Sequence, residues 1–209
     1  MRLIFLGPPG AGKGTMASRV KDLLKVPHVS TGELFRENVG QGTPLGLQVK
    51  AIMDRGDLVP DEVTVAMVKD RLERDDARKG FILDGFPRTI PQAEALAGIT
   101  ELDGVLNLVC SNEELIRRLT GRRFCPTCGR IYHIAFMPPA KEGRCDDDGS
   151  PLKIRDDDTL EAVQNRLNVY VQSTEPLIAW YRDLGLLRDI DASVAPDAVF
   201  DGIKAVLGR

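Results

Sequence analysis

No apolar run in this chain approaches the roughly 20 residues that a membrane-spanning helix needs. The longest near the start, Leu3 to Leu6, is also far too short for a signal peptide. Positive charge is equally scarce. Against 28 lysines and arginines stand 31 aspartates and glutamates, a formal net charge of -3, which argues against a generally basic nucleic-acid binder. Any anion the protein holds must be met by local groups of Arg and Lys. Cysteine is sparse too. Four in 209 residues are few for a secreted disulfide scaffold, and three of them fall between Cys125 and Cys145. That grouping fits a metal site in a soluble, cytoplasmic protein. At this length one domain with an insertion is expected, with a core large enough to need no disulfides.

Short apolar runs recur between helical patterns: "LIFL" at 3–6, "HVS" at 28–30, "FILDG" at 81–85, "GVLNLVC" at 104–110 and "LRDID" at 187–191. Runs with so little alternation suit strands buried on both faces of a parallel sheet. Helix starts lie between them. Ser30-Thr31-Gly32-Glu33 reads as a capping box, Thr43-Pro44 as a cap followed by an N1 proline, and Ser111 as a cap before "NEELIRRL". Strand and helix in alternation predict a doubly wound α/β fold of three layers, a central parallel sheet of five strands flanked by helices. The regularity fails between about 121 and 158, which reads as a small inserted module. The helical stretch that follows, 159–174, is expected to be interrupted at Pro176.

The first strand runs into "GPPGAGKGT", and a helical pattern follows. Such a loop points several backbone N–H groups at one spot, to which the helix N-terminus adds partial positive charge. Gly7, Gly10, Gly12 and Gly14 let backbone approach a phosphate, and Lys13 supplies a mobile cation. The usual pattern places a hydroxyl directly after the lysine; here Gly14 intervenes and Thr15 comes one place late. Asp84, ending an apolar strand, is the expected metal-facing acid of such a site. A turn-forming aspartate is the plainer alternative.

"LDGFPRT" after that strand, together with "GPPGAGKGT" and "STGELFR", closely resembles the adenylate kinases. The likeness continues through "GDLVPDEVT", "GRR" and "IYH" and covers essentially the whole chain. It implies reversible phosphoryl transfer, ATP + AMP to 2 ADP, with Mg2+. In that family Gly-Thr follows the lysine, so the resemblance makes Thr15 a loop residue near the phosphates and gives Asp84 a hold on magnesium through water. Gly10, Ala11, Gly12, Lys13, Gly14 and Thr15 become the ATP phosphate loop. Arg118, Ile131, Tyr132 and the backbone of Val194 become further ATP contacts. Thr31 and Gln92 are implied readers of the AMP base, with Asp57, Leu58, Val59, Gly85, Phe86 and Pro87 around them. A nucleoside monophosphate attacks through an oxygen that is already anionic, so the chemistry needs arginines more than a base. Arg36 and Arg88 are the implied clamp on AMP, and Arg122, Arg155 and Arg166 would close over the transferring group. The implied division is a core of 1–29, 60–120 and 159–209, an AMP-binding lobe of 30–59 and a lid of 121–158, in a monomer whose lobes open and close.

Within that module "CPTCG" (125–129) is a zinc-knuckle signature, and "CDDDG" (145–149) repeats it with aspartate for the second cysteine. The reading is a structural Zn2+ held by Cys125, Cys128, Cys145 and Asp148, with His133 or water as the alternative fourth ligand. Cys110, in an apolar strand, reads as a core thiol. Two rivals stand beside this reading. One is a kinase using GTP or another monophosphate; the other is a nucleotide-gated nucleic-acid-binding protein using the knuckle, which the acidic balance disfavours.

Overall fold

In the computed structural model, which describes residues 1–209, each of the five apolar runs becomes a strand. They are β1 (Arg2–Leu6), β2 (His28–Ser30), β3 (Phe81–Asp84), β4 (Gly104–Val109) and, after a separate hairpin of β5 (Arg122–Phe124) and β6 (Ile131–His133), β7 (Leu187–Asp191). The sheet is wholly parallel, in the order β2-β3-β1-β4-β7. Side chains of a strand alternate between its two faces, and β1 feeds a core on each. Leu3 and Phe5 join Met16, Val20, Leu106 and Leu115 on one side. Ile4 and Leu6 join Val29, Leu83, Leu96 and Leu177 on the other. Leu83 is fully buried, so Leu83→Ala would cost about 2–5 kcal/mol. The expected strands end one residue early at Asp84 and Val109, because Gly85 and Cys110 already belong to the loops beyond.

Nine helices flank the sheet and its insertions: α1 (Lys13–Leu24), α2 (Thr31–Gln41), α3 (Pro44–Asp54), α4 (Asp61–Leu72), α5 (Ile90–Ala97), α6 (Asn112–Thr120), α7 (Leu160–Val169), α8 (Pro176–Asp183) and α9 (Pro196–Val206). The Thr43 and Ser111 caps form, their hydroxyls accepting from the N–H groups of Gly46 and Glu114. The Ser30 capping box does not. Ser30 stands at the N-cap of α2 without a side-chain hydrogen bond; it is also the last, buried residue of β2, in register with Asp84. The helical stretch before Pro176 is not one α-helix either. A π-helical turn, Tyr170–Thr174, separates α7 from α8, which Pro176 opens. No helix is long and apolar enough to cross a membrane.

Two segments carry small cores of their own. Phe35, Val49 and Val59 pack together around α2 and α3. Cys125, Tyr132 and Cys145 do so beneath the β5–β6 hairpin, with Leu152 against them. The two segments meet where α3 packs against the 3-10 turn Asp156–Asp158. At the C-terminal edge of the sheet β1 and β3 lie side by side while their connections leave in opposite directions, the usual place for a ligand crevice in an open α/β sheet.

Candidate active site

The loop from β1 to α1 passes through Gly12, which caps α1 in the left-handed region at φ 90°. The Lys13 ammonium folds back onto it, donating to the carbonyl oxygens of Gly7 (2.6 Å) and Pro8 (2.8 Å). Burial lowers its pKa from the usual 10.5 to about 8; Asp84 opposes that, while Arg88, Arg166 and Arg122 add to it. Asp84 lies beside the loop because β1 and β3 pair Phe5 with Asp84. Burial alone would raise its pKa, but a 3.4 Å contact from His28 Nε2 and the nearby Lys13 hold it below the usual carboxylate range. Gly14 faces the same carboxylate: a Cβ there would sit 3.4 Å from Asp84 Oδ2, an ordinary van der Waals contact. Thr15 is not a loop residue: it lies in the first turn of α1, since the helix already starts at Lys13.

The segment after β3 is pinned at several points. The Gly85 carbonyl accepts from the Thr31 hydroxyl and from Arg88 Nε, both at 2.8 Å. Gly85 has φ +78°, and a Cβ on it would come within 2.9 Å of both side chains. The Arg88 N–H donates to Gln92 Oε1 (2.7 Å), and its carbonyl accepts from the Thr174 hydroxyl (2.8 Å). Burial lowers the Arg88 pKa to about 10, and the neighbouring Arg166 adds to this. Phe86 is buried in the core, and Pro87, Leu58, Arg166 and Lys13 line one cavity with Gly85 and Arg88. Asp57, between Gly56 and Leu58 of that cavity's lining, accepts from the Asn165 amide at 2.7 Å, tying the α3–α4 loop to α7. Val59 faces the small core under α3.

The arginines of the inserted module come to the same cleft, held by carboxylates that no sequence motif marks. Asp158 has a fully buried side chain. It takes two hydrogen bonds from Arg122, 2.7 and 2.5 Å, and one from Arg166 at 3.1 Å. Asp157 pairs with Arg166 at 3.2 Å. Arg155 is held less completely. Its Nε is buried with no partner, its guanidinium lies over the Phe124 ring at 5.7 Å, and burial together with Arg36 and Arg122 lowers its pKa to about 9. Burial also lowers the Arg36 pKa; Asp157 opposes this, while Arg122 and Arg166 add to it. The acidic run "DDD" at 156–158 was the only signal for this pair, and nothing local shows which carboxylate turns inward.

The remaining expectations spread more widely. Arg118 is paired with Glu114 at 2.8 Å. Val194 is exposed beyond β7. Ile131 opens β6. The Tyr132 side chain is turned away from the cleft: it is buried, its hydroxyl donating to Cys145 Sγ (3.4 Å) and accepting from the Asp146 N–H (2.7 Å). Only its backbone is left for a nucleotide. His133 is not a fourth metal ligand, because its Nδ1 accepts from the N–H groups of Ala135 and Phe136. Cys110 packs against the main core, and burial raises its pKa.

One ligand atom from each of Cys125, Cys128, Cys145 and Asp148 lies within 4.8 Å of the others. Cys128 and Cys145 sulfurs are 3.6 Å apart, and Cys125 Sγ is 3.2 Å from Asp148 Oδ2. A tetrahedral zinc with bonds of about 2.3 Å would hold thiolates about 3.8 Å apart, so the donor set and spacing fit. The two half-sites fold alike. The N–H groups of Cys125 and Cys145 donate to Arg130 and Ser150 carbonyls, and Gly129 and Gly149 donate back to the two cysteines. Both glycines take positive φ, 77° and 72°.

Comparison with known proteins agrees with this geometry. The family model described as adenylate kinase matches residues 5–186. The chain is similar to the adenylate kinase of Treponema denticola, 53% identical over 204 residues and covering 98% of each chain. It is likewise similar to that of Methanocella arvoryzae, 51% identical over 214 residues with 100% of this chain and 99% of the relative covered. The adenylate kinase of Clostridium beijerinckii is 49% identical over 214 residues, with the same coverage.

Proposed function

The chain belongs to the adenylate kinase family and catalyses ATP + AMP to 2 ADP, and from that premise we propose how its own residues divide the work. The loop Gly10–Gly12 and the first turn of α1, Lys13–Thr15, cradle the ATP phosphates with backbone N–H groups, and Lys13 leaves its carbonyl partners to meet them. Arg36 and Arg88 clamp the AMP phosphate, while Thr31, Gly85 and Gln92 with the Asp57–Val59 backbone surround its base. Arg122, Arg155 and Arg166 close over the phosphoryl group in flight. No residue serves as a base, because the attacking phosphate oxygen is already charged; positioning and charge neutralisation carry the rate. The observation that carries this reading is that Lys13, Arg88 and Arg166 line one cavity, with Arg122 joined to Arg166 through the buried Asp158. Those cations come from four separate stretches of chain.

Magnesium, bound with ATP, would supply positive charge at the phosphate oxygens. Asp84, a hard oxygen donor set against Gly14, is the residue that would hold it through water. Zinc would be held by Cys125, Cys128, Cys145 and Asp148; four protein ligands leave no open position, so its part is structural. We read 30–59 as the AMP-binding lobe and 121–158 as the lid, each with its own small core. Closure excludes water that would otherwise accept the phosphoryl group. A monomer acting in the cytoplasm completes the reading.

The test offers ATP·Mg with AMP, GMP, CMP and UMP in turn and separates the products by chromatography. Rapid ADP formation with AMP alone is expected. Equal transfer to several monophosphates would refute the base-reading roles, and no transfer from folded, zinc-loaded protein would refute the assignment of the cleft.

A further inference from the structure

Gln92 is almost wholly buried, 1% exposed, and both ends of its amide are already engaged. Oε1 accepts from the Arg88 N–H at 2.7 Å, and Nε2 donates to Asp61 Oδ1 at 2.7 Å. Asp61 is itself fixed. Its Oδ2 accepts from the Thr89 hydroxyl (3.0 Å), whose oxygen accepts in turn from the Gln92 N–H (3.3 Å). The loop of hydrogen bonds thus closes on the same glutamine. The Arg88 peptide is held from its other side by Thr174.

This arrangement sets the direction of the amide by chemistry. Were Gln92 reversed, its oxygen would face a carboxylate and its NH2 would face the N–H of Arg88, two like-with-like contacts in place of two hydrogen bonds. A carboxamide has two N–H groups and two lone pairs. Asp61 takes one N–H and Arg88 fills one lone pair, so one donor and one acceptor remain, in a fixed order. An adenine presents an amino donor at N6 beside an acceptor at N1. A 6-oxopurine presents an acceptor at O6 beside a donor at N1, the reverse. An amide free to turn would satisfy either.

We infer that Asp61 is a specificity-determining positioning residue: by holding the Gln92 amide in one orientation it makes the site accept a 6-aminopurine monophosphate and reject a 6-oxopurine one. This rests on the proposed reading that Gln92 meets the AMP base. Asp61 itself touches no substrate and acts through Gln92.

The experiment compares AMP with inosine monophosphate, whose purine differs from adenine only in having that edge reversed. Dissociation constants for both, with KM and kcat for AMP and KM for ATP, are measured on the zinc-loaded full chain and on Asp61→Ala, Asp61→Asn and Gln92→Ala. In Asp61→Ala the preference for AMP is expected to narrow about tenfold or more, mainly through weaker AMP binding, with KM for ATP changed less than twofold. Asp61→Asn, which still offers an acceptor oxygen, should fall between it and the parent. A folded Asp61→Ala that keeps the preference within twofold overturns the inference, as does a loss shared equally with ATP. Should Asp61→Ala not fold, Asp61→Asn decides: narrowing of about threefold or more supports the inference and an unchanged ratio overturns it. If Gln92→Ala collapses the preference and the Asp61 variants do not, only the role of Asp61 is lost. If Gln92→Ala changes nothing, the reading of Gln92 falls and this inference with it.

Discussion

Lys13 donates only to the Gly7 and Pro8 carbonyls, and burial, partly offset by Asp84, brings its pKa down to about 8. The charged form is therefore disfavoured in the folded protein. As pH rises through about 8 the folded chain sheds this proton, while an unfolded chain keeps it to about 10.4. Between those values the unfolded state binds more protons, so this group makes stability rise with pH. Function moves the other way, because a triphosphate needs the ammonium. We predict that kcat/KM for ATP falls by up to about tenfold per pH unit above pH 8. Lys13→Arg, charged throughout, should be slower but without that break. A profile of the parent flat from about pH 7 to 9.5 would contradict the role given to this proton. At this scale much of the proposed site is legible in the sequence, since the loop, the acid and the proposed clamp residues fall in contiguous motifs. Asp61 and Asp158 are not, because each matters through a side chain distant in sequence, and Tyr132 sits in a matched motif yet points the other way.

The inserted module shows the same limit one level up. Both knuckles can be read from the chain because each is local, a cysteine and a glycine at fixed spacing with the same two backbone hydrogen bonds. The π-turn Tyr170–Thr174 carries no such signal; Pro176 announces an interruption but not its form. Yet that turn delivers the Thr174 hydroxyl to Arg88. The small core under the hairpin is the ground for predicting metal-dependence. It consists of little besides Cys125, Tyr132, Cys145 and Leu152, too few apolar groups to hold a segment of this length. Chelation strong enough to strip zinc, or Cys145→Ser, should lower the melting temperature and raise amide exchange across 121–158 before the parallel sheet is affected. Activity should fall with it, since Arg122 and Arg155 ride on this segment. A verified metal-free sample with an unchanged melt would rule out the structural zinc.

For the molecule as a whole, the cleft concentrates positive charge in a chain whose net charge is -3. Asp158 and Asp157 balance Arg122 and Arg166, but Arg155 keeps a buried Nε without a partner and a pKa depressed to about 9 by burial and by Arg36 and Arg122. A buried cation short of partners costs stability unless an anion arrives, and the reaction supplies that anion. Two opposing effects decide what its removal does. Loss of the stacking on Phe124 at 5.7 Å and of attraction to the aspartates destabilises; relief of desolvation and of repulsion stabilises. The lowered pKa means that desolvation and repulsion outweigh the attraction to the aspartates. Arg155→Met, which keeps the packing of the stem, should therefore stabilise the substrate-free protein by about 1 kcal/mol, read as a rise of about 2–4 °C in Tm. The same change should lower kcat about 100-fold or more, by removing a charge from the transition state. Adding tripolyphosphate should close the gap between the two melts, because the parent has more to gain from an anion in the cleft. A lower Tm for Arg155→Met without ligand would mean that the aspartates and Phe124 already satisfy this arginine, and that its orientation is set by the fold rather than held in reserve for the phosphoryl group.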